Sequence, residues 1–201
     1  EYASLQQAMI KDWRKLWNQP AAPFLFVQLP NFMDMSYLPT ESQWAEFREA
    51  QAQSLSLPNT GMAVAIDLGE WNDIHPGGKK EVGERLARIA EKVAYGNKSI
   101  VQTGPTFQAA AINGNKVTLS FTHTGSGLTT RDGEAPAEFA IAGADKKFVW
   151  AKAIIEGDKI VVWNDEVPNP LYVRYAWADN PVNPNVINKE DLPAAPFRTD
   201  Q

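Results

Sequence analysis

Apolar residues recur at helical spacing from the start of the chain. Leu5, Met9, Trp13, Leu16 and Trp17 fall on one stripe of residues 2–17, and Pro20 ends the helix this predicts. The run PFLFVQL at 23–29 is nearly continuous in apolar residues and bounded by prolines, which suits a buried parallel strand. Thr40 with Gln43 three residues on reads as a capping box, opening a helix with Trp44 and Phe47 turned inward. GMAVAIDLG at 61–69 is a second buried strand. After a loop, Val82, Leu86, Ile89 and Val93 return to helical spacing, and Gly96 marks the stop. The order is helix, strand, helix, strand, loop, helix, which is half of an open parallel sheet with covering helices.

The pattern changes at about Tyr95. Short alternating segments follow, among them KVTLSFTH, EFAIAG, FVWAKAIIEG, KIVVWND and LYVRYAW, divided by the turn sequences NGN, EGDK and NPVNP. AKAIIEGDKIVVW is a hairpin with Gly157 and Asp158 at its tip. Strands at this spacing predict a β-sandwich or barrel. Residues 181–201 have little periodicity and read as an extended tail. No internal repeat or low-complexity tract is present.

Composition narrows the function classes. The 201 residues are 44% hydrophobic and 21% charged, enough for a sizeable core. Lys+Arg 19 against Asp+Glu 24 gives a formal net charge of -5, with no basic stripe, which argues against nucleic acid as a partner. No apolar run is long enough to span a bilayer. The absence of cysteine removes thiolate metal sites and cysteine nucleophiles. The two histidines lie in different halves, without ligand spacing, so no metal site and no cofactor is expected.

His75 is the only histidine in the α/β half, in the loop DLGEWNDIHPGG. That loop leaves the carboxyl end of the second strand, where open parallel sheets bind their ligands. Asp73 and His75 flank one residue, so in a turning loop their side chains can share a side. A carboxylate beside an imidazole fixes its tautomer and stabilises its charged form, as a general base requires. Spacing alone favours the plainer reading, a surface histidine beside a helix start with Asp73 as a cap.

Longer stretches shift that balance. LQQAMIKDWRKLW, PFLFVQLPNF, the segment from Trp44 to Ala87, FAIAGADKKFVWAKAIIEGDKIVVW, VRYAWADNP and NKEDLPAAPFRTD together cover nearly the whole chain. In them it resembles the sialate O-acetylesterases and related carbohydrate acetylesterases of the SGNH hydrolase superfamily. The resemblance implies an α/β fold: the C-terminal part of an SGNH (flavodoxin-like, three-layer) hydrolase domain at residues 1–95, then a small all-β, sandwich-like domain at 96–180, with 181–201 as a tail packing on the body. It implies a serine esterase that removes O-acetyl groups from sialic acid or a related sugar, in a secreted or periplasmic setting. NDIHP is the block that supplies the catalytic histidine and its acid, so His75 becomes the general base and Asp73 its partner. The superfamily pattern sets the acid three residues before the histidine. Asn72 stands there in this chain, and Asp67 is the other candidate acid.

The resemblance also implies a GQSNM-type loop carrying the nucleophilic serine and a later loop with an oxyanion-hole asparagine. Neither occurs in this sequence. Ser126 lies in the β half without a strand–elbow–helix setting and reads as a turn residue. The expected partners are therefore an O-acetylated sugar and an N-terminal segment of the same enzyme carrying the serine. Trp71, Asn72, Arg48 and Gln51 are the candidate substrate contacts, with Asn31 and Phe32 at the other strand end behind them. His123, Trp150, Trp163 and Trp177 read as structural. Two other functions stay open: a non-catalytic carbohydrate-binding module, and the same chemistry on an acetylated plant hemicellulose.

Overall fold

The structure is a computed structural model, and it describes residues 1–200. The first part holds α1 (Tyr2–Leu16), β1 (Phe24–Val27), β2 (Met35–Ser36), α2 (Gln43–Ala52), a 3-10 turn at Gln53–Ser56, β3 (Thr60–Ala63) and α3 (Lys79–Val93). Strands only follow: β4 (Thr106–Asn113), β5 (Lys116–Thr122), β6 (Leu128–Thr130), β7 (Phe139–Ala142), β8 (Val149–Trp150), β9 (Lys152–Glu156), β10 (Lys159–Trp163), β11 (Tyr172–Tyr175), β12 (Asn180–Pro181), β13 (Val186–Asn188) and β14 (Phe197–Arg198). The fold is mixed α/β.

β1 and β3 pair in parallel, Phe24 opposite Thr60 through Val27 opposite Ala63. Gly61 lets α3 close on this pair, because a β-carbon there would stand 2.1 Å from Ile89. α2 starts two residues later than the capping box predicts: Ser42 is the cap, accepting from the Ala45 amide at 2.9 Å. Its inward residues are Ala45, Arg48 and Gln51, while Phe47 is exposed. Two polar side chains with backbone partners fill the inner face where Phe47 is expected, while Trp44 is half-buried with its Nε1–H donating to Pro30 O at 2.8 Å. In α1 the buried residues are Ile10 and Arg14, and the apolar stripe from Leu5 to Trp17 faces outward. Arg14 anchors the helix through Ala22 O (2.9 Å) and Pro58 O (2.8 Å).

The strand-rich part forms two four-stranded antiparallel sheets, ordered β4-β5-β10-β9 and β14-β11-β7-β8. β5 alternates as its pattern predicts, with Val117, Leu119 and Phe121 buried. These pack with Ile160, Val162, Phe139, Ile141, Val173 and Tyr175, and the same cluster takes in Met62 from β3 and Val64 and Ile66 just after it. One core thus runs across residue 95. β2 pairs in parallel with β12, a second crossing. The tail is held by β13 on β6 and β14 on β11, with Val186, Ile187, Leu192 and Phe197 buried.

Candidate active site

β1 and β3 run in the same direction, so the segments that follow them leave one rim of the sheet. The 31–37 segment comes from β1 and the 67–78 loop from β3. They are laced together: the Gly69 amide donates to Asn31 Oδ1 at 2.7 Å, and the Met33 amide to Trp71 O at 3.0 Å. Gly69 is required by this approach, since a β-carbon would stand 1.8 Å from Asn31 O. Asn31 Nδ2 in turn donates to Asn180 Oδ1 (2.9 Å), which ties the rim to the strand-rich part.

The loop closes on itself through carboxylates. Glu70 Oε1 accepts from the Gly77 amide at 3.0 Å, shaping the turn before α3. Asp73 Oδ1 accepts from the His75 amide at 2.8 Å and lies 3.3 Å from His75 Nδ1. The backbone bond comes first in holding the Asp73 carboxyl below the usual range, with smaller help from the imidazole and from Lys79. With its proton on Nδ1, the ring faces Asp73 and presents Nε2 as a free base. The His75 side chain is 81% exposed, so Nε2 is open to a substrate. Trp71, Asn72 and Ile74 are exposed around it.

Asp67, the other candidate acid, has a different task. Its side chain is 7% exposed. Arg85 from α3 binds both its oxygens, at 2.6 and 2.7 Å, and Arg131 from the strand-rich part binds Oδ2 as well. Burial alone raises this carboxyl, but the two guanidinium groups outweigh it and hold it below the usual range. With both oxygens engaged by arginines, Asp67 fixes the start of the loop instead of facing His75.

Arg48 and Gln51 are not placed as solvent-facing substrate contacts. Arg48 is fully enclosed and donates to the carbonyls of Leu29, Pro30, Ala178 and Asp179. Burial lowers its pKa to about 9, against the pull of Asp179. The Gln51 carboxamide accepts from the Leu29 amide at 2.9 Å and donates to Val27 O at 3.3 Å. Both organise the backbone beneath the rim. Ser126 donates to Glu190 in a turn, and His123 bonds Thr122. Phe32 packs on Trp44. Among the described residues, no group of three or more His, Cys, Asp or Glu is arranged to hold a metal ion.

No protein-family model matches the chain. The sialate O-acetylesterase of Mus musculus is 27% identical over 219 residues, covering 98% of this chain and 40% of its own length. That of Homo sapiens is 26% identical over 215 residues, covering 94% and 40%. The crystal structure of a carbohydrate acetylesterase from Xanthomonas citri matches the whole chain with a TM-score of 0.92 at 46% identity, and the match covers 46% of that chain. Over nearly its whole length the chain is similar to sialate O-acetylesterases and to a carbohydrate acetylesterase. It spans about two fifths of the length of the sialate O-acetylesterases it matches.

Arg85, Arg131, Asp179 and Asn180 hold the rim, and the sequence reading did not single them out. Arg85 had a signal: it lies on the same face of α3 as Val82, Leu86 and Ile89, and an arginine on an apolar face calls for a buried acid. Arg131, 64 residues from Asp67, had none.

Proposed function

We propose that this chain is the histidine-bearing part of a carbohydrate acetylesterase that removes O-acetyl groups from sialic acid or a related acetylated sugar. The serine hydroxyl comes from polypeptide outside residues 1–201. His75 Nε2 takes the hydroxyl proton as the oxygen attacks the acetyl carbonyl, and returns it to the departing sugar oxygen. Water then enters by the same route, the imidazole taking its proton, and acetate leaves. Asp73 keeps the ring oriented and stabilises the imidazolium that forms in each half-reaction. The observation that carries this reading is the Asp73–His75 pair, with one face of the ring engaged by a carboxylate and the other open at the sheet rim.

Support for a complementing segment comes from two features without partners among the described residues. Phe24 and Gln28 direct their amides to β3, so Leu25 between them directs its backbone N–H and C=O to the opposite, open edge of β1. On α1, Leu16 and Trp17 are 72% and 55% exposed, and the Trp17 ring stacks on Phe24 of β1 with Trp13 tilted against both. An apolar face next to an unpaired strand edge suits a further strand and its covering segment.

The test is acetate release by the assembled full-length enzyme. His75→Ala lowers kcat on an aryl acetate by at least about a hundredfold, and Asp73→Asn by a comparable factor, with the fold intact by circular dichroism. Turnover retained in His75→Ala sinks the reading. Comparing acetylated sialic acid with acetylated xylan and xyloglucan assigns the sugar.

A further inference from the structure

β3 has one strand neighbour, β1, and its residues Thr60, Gly61 and Met62 also line a cavity of about 850 Å3. In a parallel pair, alternate residues turn their backbone groups toward the partner. The amides of Phe24 and Gln28 donate to Asn59 O at 3.0 Å and Ala63 O at 2.8 Å, so Asn59, Gly61 and Ala63 face β1. Thr60 and Met62 therefore direct their N–H and C=O groups to the other edge, which borders the cavity. Just past the strand, Arg85 occupies Val64 O at 2.7 Å and ends the open stretch of this edge. Met62 is only 5% exposed, and among the described residues its amide and carbonyl have no hydrogen-bond partner. Buried backbone groups are almost always paired, so this edge calls for an occupant.

The cavity has the walls that a further strand requires. Successive residues of β3 face opposite sides of the sheet. Gly61 lies against Ile89 and Val93 of α3, and Thr60 donates to Ser54 O of the 3-10 turn at 3.1 Å on the other side. Ile89 and Val93 line the cavity from the first side, and Ala52 and Leu55 from the second. Phe107 and Phe197 of the strand-rich part, stacked at 4.2 Å, complete the lining. Glu49 and Arg198, also in the lining, already pair with each other at 2.8 Å. What the cavity asks of an occupant is thus backbone pairing along one edge and apolar side chains on both faces, which is the chemistry of an extended peptide.

We propose that the cavity is a docking slot for one extended segment of the enzyme's remaining polypeptide. The segment adds to β3 as a strand through Met62 and turns apolar side chains alternately toward Ile89 and Leu55. The proposal rests on the reading that this chain works with polypeptide outside residues 1–201. The match covers 40% of the mouse and human relatives, so more than half of each lies outside it and can supply such a segment.

The test compares amide exchange in the 201-residue chain and in the full-length enzyme, read residue by residue by mass spectrometry. Gly61 and Ala63, which face β1, exchange slowly in both and serve as the reference. In the chain alone Met62 exchanges at least about a hundredfold faster than they do, and in the full-length enzyme it slows to their rate. Leu55→Glu, at a wall position 43% exposed, restores fast exchange at Met62 in the full-length enzyme, because it puts a carboxylate where apolar side chains seat. Should Leu55→Glu fail to fold by circular dichroism, Leu55→Gln decides. Fast exchange at Met62 in both proteins overturns the slot, as does slow exchange in the enzyme whatever stands at position 55. Slow exchange already in the chain alone points to a co-purified small molecule, and slowing that follows the chain's concentration points to a second copy; either also overturns it. None of these results bears on His75, whose role is read from aryl acetate turnover.

Discussion

Asp67 and Asp73 are six residues apart in one loop and do opposite kinds of work. Asp73 is exposed and bonds its neighbour's backbone, so it is available to His75. Asp67 is enclosed between Arg85 and Arg131, and Arg131 also reaches Asp191 at 3.2 Å. Removing the charge from Asp67 leaves Arg85 buried without an acid. Asp67→Asn is therefore expected to lower stability by about 3 kcal/mol at neutral pH, read by urea denaturation. Its carboxyl is held below the usual range in the folded state. The stabilisation is thus complete above the unfolded carboxylate pKa and is lost as pH falls through the folded value. The gap between wild type and Asp67→Asn closes in acid, and a gap constant with pH contradicts this account. At this scale the sequence was partly legible. A histidine and an acid two residues apart locate themselves, because the bond between them is local. Arg48 and Gln51 stood out as polar residues on a helix, but spacing cannot tell which face of a helix a tertiary neighbour will cover.

Secondary structure near the rim was legible wherever apolar periodicity and punctuation agreed. β1 between prolines and α3 ahead of Gly96, whose φ is 73°, are both read from local chemistry. The exposed stripe on α1 was legible as a stripe and not as exposed, since periodicity reports that a face is apolar and says nothing of whether a partner covers it. Its present exposure makes a specific prediction. Leu5→Glu with Leu16→Glu leaves the thermal stability of this chain nearly unchanged, within about 0.5 kcal/mol, because both side chains are largely exposed. The same pair of substitutions lowers recovery of acetylesterase activity when the chain is co-expressed with the rest of the enzyme. Stability lost in the isolated chain, with activity recovery unchanged, is the outcome that counts against a docking role for α1.

The whole molecule has a single core, and this was the least legible part. Met62, Val64 and Ile66 read as one buried apolar run, but their packing against Val117, Phe139 and Tyr175 depends on contacts far apart in sequence. The tail shows the same thing. It lacks periodicity because its two strands are two and three residues long, yet it supplies Val186, Phe197 and the Asp200 carboxylate that pairs with Arg174 at 2.7 Å. Truncation after Asn180 removes these and leaves Arg174 without its buried acid, so the shortened chain is expected to lose its cooperative thermal transition in near-ultraviolet circular dichroism. A transition kept intact means the tail is dispensable. The carboxamide of Gln51 bears on any enlargement of the sheet. It already occupies Val27 O and the Leu29 amide on the open side of β1, imitating one rung of a ladder. An incoming strand can zip along Leu25 and must halt there, so the helix beneath the sheet dictates how far a newcomer may slide.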